Sequence, residues 1–162
     1  MSNPMSKRNE QFLREAIRLA SDNVKTGGGG PFGAVVVKDN KIVGKGSNKV
    51  TTTADPTAHA EIEAIRDACK NLGTHILENC TIYSSCEPCP MCLGAIYWAH
   101  LDRLYFAATR QDAANAGFDD EWMYEQIKLS LSERKLPSTN LLRSEAVKVF
   151  DDWRLSETKI PY

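Results

Sequence analysis

A chain of 162 residues, 42% hydrophobic and 25% charged, is long enough for one domain with a real core and has the composition of an ordinary water-soluble fold. A formal net charge of -1 with no dense Lys/Arg cluster argues against a nucleic-acid partner. No run of about 18 apolar residues is present, and the polar opening MSNPMSKRNEQ is not a secretion signal, so the chain reads as cytoplasmic, without a membrane partner, its cysteines reduced.

Phe12, Leu13, Ala16, Ile17, Ala20 and Val24 recur at helical spacing, which predicts an amphipathic helix over about residues 8–25. Gly27 to Gly30 end it. A phosphate-cradling loop would continue with Lys and Ser/Thr; Pro31 and Phe32 stand there instead, so the glycines read as a plain loop. Residues 34–37 form a β-branched run, Asp39-Asn40 is turn chemistry, and residues 41–47 return as a second strand, giving a hairpin. Residues 51–55 read as a loop, followed by a helix from about 56, or a little later, to 69, stopped near Gly73. A short strand at 81–84 runs into CEPCPMC, then come a helix over about 90–99 and a strand at 103–107. Thr109 caps a short helix that Gly117 closes; Met123, Ile127 and Leu131, at steps of four, predict a helix over 121–134. Residues 139–143 suit a last strand and 144–157 a final helix. Helices alternating with strands point to a layered α/β domain with helices on both faces of the sheet.

The chemistry concentrates in two stretches. In CEPCPMC, Cys86, Cys89 and Cys92 are spaced by three; in PTAHAE, His59 is followed by Glu61. Three thiols and one imidazole would close a Cys₃His structural zinc site, leaving Glu61 without a role. The rival arrangement uses His59, Cys89 and Cys92 alone. Pro90 favours the first helical position, which makes Cys89 the N-cap and Cys92 the third helical residue, facing one another at a helix end that stabilises thiolates. Cys86 lies outside that helix, so its aim is not fixed. A zinc ion held by two thiolates and one imidazole keeps an open position for water, and such chemistry needs a nearby carboxylate to move protons. In a helix, residues two apart point to opposite sides, so His59 and Glu61 converge only if their helix starts close to His59. His59-Ala60-Glu61 and Pro88-Cys89-Pro90-Met91-Cys92 together form the H-x-E…P-C-x-x-C signature of zinc nucleobase deaminases. Cys69 and Cys80 read as small buried hydrophobes.

With these motifs, and with GGPFGAVVVKD, DPTAHAEIEAIRDAC, SSCEPCPMCLGAIYWA and AGFDDEWMYEQI, nearly the whole chain resembles the cytidine-deaminase-like superfamily, and within it the bacterial guanine deaminases. The resemblance implies a three-layer α/β/α sandwich around a five-stranded mixed sheet, in a single domain of residues 1–162. It implies one Zn²⁺ per chain on His59, Cys89 and Cys92, with Glu61 as the proton shuttle converting guanine to xanthine and ammonia. It further implies substrate contacts from Asn48, the Ala60 N–H, Phe32, Asp120 and Tyr162, and a homodimer in which the segment of about residues 144–162 crosses onto the partner. Each contact has a plainer alternative: Phe32 as core, Asn48 as a turn residue, Asp120 as an N-cap. A guanosine, cytosine or tRNA adenosine deaminase, or a zinc-binding interaction module without turnover, remains an alternative to guanine as substrate.

Overall fold

The structure, a computed structural model, describes residues 4–161. The chain divides into two compact units, Met1–Asp120 and Glu121–Tyr162. In the first, α1 (Pro4–Lys25) leads to the hairpin β1 (Gly33–Lys38) and β2 (Lys41–Ser47), a short α2 (Val50–Thr53) and α3 (Ala60–Leu72). Then follow β3 (Cys80–Cys86), α4 (Pro90–Trp98), β4 (Arg103–Ala108) and α5 (Arg110–Asn115). Asp39 and Asn40 both adopt positive φ, 48° and 61°, the conformation a two-residue hairpin turn demands and short polar side chains tolerate.

The sheet runs β2-β1-β3-β4, with β1 antiparallel to both neighbours and β3 parallel to β4. On one face, Ala34, Val36 and Ile82 pack with Ala60, Ala64 and Ala68 of α3 and Ile96 of α4. On the other, Val35, Val37 and Tyr83 meet Phe12 and Leu13 of α1. Alternate strand residues thus feed two cores, and this unit has the expected three layers.

The fifth strand is a correction: the sheet has four strands among the described residues. Residues 139–141 are irregular, and the chain enters its last described helix, Arg143–Leu155, through Leu142 at φ 54°. A left-handed residue breaks the extended run that strand pairing needs, and Leu141 and Leu142 are exposed where a strand would bury alternate side chains. Helix 121–134 is also shorter than expected. As α6 it spans Glu121–Lys128, because the Glu133 carboxylate takes both the hydroxyl and the backbone N–H of Ser130, an arrangement that competes with helix continuation. Neither α6 nor α7 (Arg143–Leu155) buries a residue, and Phe150 is 72% exposed.

What positions the site is the seat of α3 on β2. Gly44 and Gly46 lie under Ala60, Ala64 and Ala68, three alanines at steps of four, and a Cβ at either glycine would overlap the helix backbone. Small residues on both sides bring helix and strand into backbone contact, which fixes the height and direction of the α3 N-terminus.

Candidate active site

His59 is the N-cap of α3 and Cys89 the N-cap of α4, with Pro90 following; neither side chain makes a capping hydrogen bond. The helix over residues 60–72 therefore starts at its functional end, as the convergence of His59 and Glu61 requires. The His59 Nδ1 lies 3.6 Å from Cys89 Sγ and 3.5 Å from Cys92 Sγ. Ligand atoms of these three residues all lie within 4.8 Å of one another. Zinc bound at about 2.3 Å to sulfur and about 2.0 Å to nitrogen in tetrahedral geometry puts S and N roughly 3.5 Å apart, so the donor set and its spacing fit the ion. Three protein donors are also the count of a zinc site that retains an open position.

The charge distribution suits a cation. The Cys92 thiol beside Cys89, helped by His59, holds the Cys89 thiol down at about 4. The Cys89 thiolate in turn pushes up both the Cys92 thiol and the His59 imidazole. In the protein alone the trio retains protons that a metal ion would displace.

Glu61 is buried beside this group. Its Oε1 accepts the Ser84 hydroxyl at 3.0 Å, and its Oε2 lies 3.4 Å from Cys92 Sγ. Burial pushes its carboxyl pKa up, against the pull of its own backbone N–H and of Ser84. Cys86 points elsewhere: its thiol donates to the Thr109 carbonyl at 3.5 Å, and burial pushes it up to about 11. A protonated thiol committed to a carbonyl is a packing group. Cys80 lies within the apolar core and Cys69 packs against it, both thiols pushed up by burial.

The remaining residues named from the sequence fall as follows. Asn48 is buried, and its Oδ1 accepts the N–H groups of Gly30 and Val50 at 3.2 and 3.3 Å, which leaves the Nδ2 as its outward donor. Ala60, fully buried, opens α3, where the first amides have no partner inside the helix. Phe32 packs against the α3-side core and meets Phe118 edge-on at 5.0 Å, so the core alternative describes part of its surface. Asp120 is half-buried; burial raises its carboxyl, with the Cys89 charge adding, and it in turn raises His59. Tyr162 lies outside the described residues.

Two residues of this neighbourhood carry no sequence signal. Ser84 is one of several small polar residues on β3 and becomes distinctive only through Glu61. Asn23 on α1 is buried and donates to the carbonyls of Gly30 and Asn48 at 2.9 and 2.8 Å, tying the glycine loop to the end of β2. A lone asparagine near a helix end reads as a cap until the tertiary contact is seen.

Comparison with known proteins agrees with this geometry. Residues 6–108 match the family described as the cytidine and deoxycytidylate deaminase zinc-binding region. The guanine deaminase of Bacillus subtilis is 51% identical over 153 residues, covering 94% of this chain and 98% of that one. Its crystal structure superposes with a TM-score of 0.92 over the same shares of both chains. A guanine deaminase structure from Nitrosomonas europaea is 31% identical, with a TM-score of 0.65 over 74% of this chain and 66% of that one. A tRNA-specific adenosine deaminase from Aquifex aeolicus is 41% identical over 99 residues, 61% of this chain and 65% of the other.

Proposed function

Because the chain belongs to the cytidine and deoxycytidylate deaminase zinc-binding family, we propose that it hydrolyses the 2-amino group of guanine, yielding xanthine and ammonia. The near end-to-end match to the Bacillus guanine deaminase, at 51% identity, carries this reading. His59, Cys89 and Cys92 would hold one zinc ion per chain. Bound there, zinc supplies Lewis acidity that brings the pKa of a water down to about 7 and so makes hydroxide available at neutral pH.

Glu61 does the proton work. Its carboxylate takes a proton from the attacking water and delivers it to ring N3 as oxygen adds to C2. A second proton transfer lets the tetrahedral carbon expel its amine as ammonia, and guanine plus water becomes xanthine plus ammonia. General acid–base assistance of this kind is worth about 10²–10⁴-fold. The raised pKa of buried Glu61 suits a group that must both accept and return a proton.

Around it, Asn48 offers an N–H donor to a purine acceptor, and the Ala60 N–H offers a second. Phe32 supplies a stacking face, and the Asp120 carboxylate accepts from the N–H groups of the guanine edge. Tyr162 would close the site from the second chain of a homodimer. In that arrangement the segment of about residues 144–162 is exchanged between copies, while the chain folds as one deaminase domain. The exposed apolar side chains of α7, Val149, Phe150 and Leu155 among them, support such an exchange, since a helix with no buried residue needs a surface to cover it. No described helix is long and apolar enough to cross a membrane, in keeping with a cytoplasmic enzyme of small-molecule purine metabolism.

Ammonia release measured with guanine, guanosine, cytosine and adenine tests the reading. Guanine is expected to be turned over at the highest kcat/KM, and Glu61→Gln to lose almost all turnover, leaving a slow residual rate, with zinc retained. Preference for another base would overturn guanine as substrate; no turnover on any base would overturn the enzyme.

A further inference from the structure

Among the described residues outside the metal group and Glu61, a buried polar side chain touches the reacting machinery. Ser84, on β3, is 1% exposed, and its hydroxyl makes the 3.0 Å contact to Glu61 Oε1. The direction of that hydrogen bond follows from the other neighbour of the oxygen. The backbone N–H of Cys86 is aimed at Ser84 Oγ at 3.5 Å, so the oxygen accepts there and its single proton goes to the carboxylate. Strand register holds the serine: Ser84 pairs with Ala34 of β1 on one side and Phe106 of β4 on the other.

We propose that Ser84 is a positioning residue for deamination, fixing the plane of the Glu61 carboxylate so that Oε1 is occupied and Oε2 is the oxygen that exchanges protons. The inference rests on the reading of Glu61 as proton shuttle given above. A glutamate has three side-chain torsions, and the last is a broad, nearly free rotor. His59 and Glu61 both stand at the α3 N-terminus, so backbone placement brings the carboxyl to the site but does not orient it. The Ser84 hydroxyl removes that freedom from the opposite wall, because it sits on the strand that delivers Cys86 and leads to Cys89. Oε2 is then left on the side of the Sγ of Cys92, one of the three residues proposed to hold the metal. A carboxylate rotated away from productive geometry loses proton-transfer efficiency without losing substrate contacts, so the signature of Ser84 is in kcat.

The test uses full-length zinc-loaded enzyme and ammonia release from guanine. Ser84→Ala is expected to lower kcat on the order of ten- to a hundredfold, the range of one hydrogen bond to a charged group, with KM within about twofold. Zinc per chain should stay at the wild-type value. Ser84→Thr, which keeps the hydroxyl, should recover most of the loss. The deciding measurement is a double-mutant cycle: in a Glu61→Gln background, Ser84→Ala should cost less than about threefold, because the group it positions no longer shuttles protons. Equal losses in both backgrounds, or a loss confined to KM, would overturn the proposal and leave Ser84 a packing residue. Should Ser84→Thr be overpacked and melt early, the cycle with alanine decides alone. Wild-type inactivity on guanine would instead overturn the substrate reading, and the same cycle would be run on whichever base is turned over.

Discussion

Replacing Gly46 by alanine should damage a site that Gly46 does not touch. A Cβ at this position would come 2.9 Å from Glu63 Cβ and nearer still to the Ala60 carbonyl oxygen, where ordinary contact begins at 3.4 Å. Backbone cannot swing aside as a side-chain end does, so the first turn of α3 has to lift by about 1 Å, at an overpacking cost of roughly 1–3 kcal/mol. Ala60 stands between His59 and Glu61, and both move with it. A misplacement of about 1 Å costs on the order of 10²-fold in rate. Gly46→Ala is thus expected to lower kcat/KM for guanine about a hundredfold, weaken zinc retention against a chelator, and drop Tm by several degrees. Steady-state ammonia release, metal content after dialysis and thermal melts check the three effects. Gly94→Ala is the control, since a Cβ there meets nothing within 4 Å. A Gly46→Ala enzyme that melts early yet keeps wild-type kcat/KM and zinc would refute the idea that the strand glycines set the height of the α3 N-terminus.

Cys86→Ser should keep about one zinc per chain, whereas Cys89→Ser and Cys92→Ser lose most of it; equal loss in all three, by elemental analysis, would point to a closed Cys₃His site. Deleting residues 160–162 should preserve zinc but sharply lower kcat/KM for guanine, and mixing that truncation with Glu61→Gln should restore activity through hybrid dimers. Failure to complement after confirmed subunit exchange would count against a tail acting across chains. Glu15 joins α1 to β2, accepting from Arg18 at 2.8 Å and Lys45 at 2.7 Å, and these cations hold its carboxyl down at about 2. A depressed carboxyl stabilises the fold fully above the unfolded pKa of about 4.3 and loses that contribution as pH falls through about 2. Glu15→Gln should accordingly melt lower than wild type at pH 7, by up to about 1 kcal/mol for so exposed a cluster, and the gap should close below pH 2. A gap that persists in acid would mean that packing, not charge, accounts for it.

The parts of the site legible in the sequence were those encoded locally. Pro90 after Cys89 marks a helix start, and the H-x-E spacing makes sense only if α3 begins at His59; both follow from backbone geometry over a few residues. The hairpin was equally local, because Asp39-Asn40 matches the turn. Legibility failed where a residue's neighbours decide its state. Residues 139–143 have strand-compatible composition, but a strand exists only with a partner, and Leu142 turned left-handed. Likewise Met123, Ile127 and Leu131 keep helical period past Ser130, yet the Ser130–Glu133 side-chain contact ends the helix. Gly44, Gly46 and Ser84 looked like ordinary strand residues, since the helix that rests on the glycines and the carboxylate that meets the serine come from elsewhere in the chain.

The two uncapped helix starts have a consequence for how the enzyme is made and lost. His59 and Cys89 occupy cap positions without capping any amide, so an ion held by the two side chains would add a tie between the ends of α3 and α4. An ion there acts as a rivet between two helices as well as a reagent. Chelation should loosen the first turns of α3 and α4 before any other part of the fold, visible as faster hydrogen exchange confined to those turns. Metal supply in the cell would then govern how long a newly made chain escapes proteolysis, not merely how fast it works.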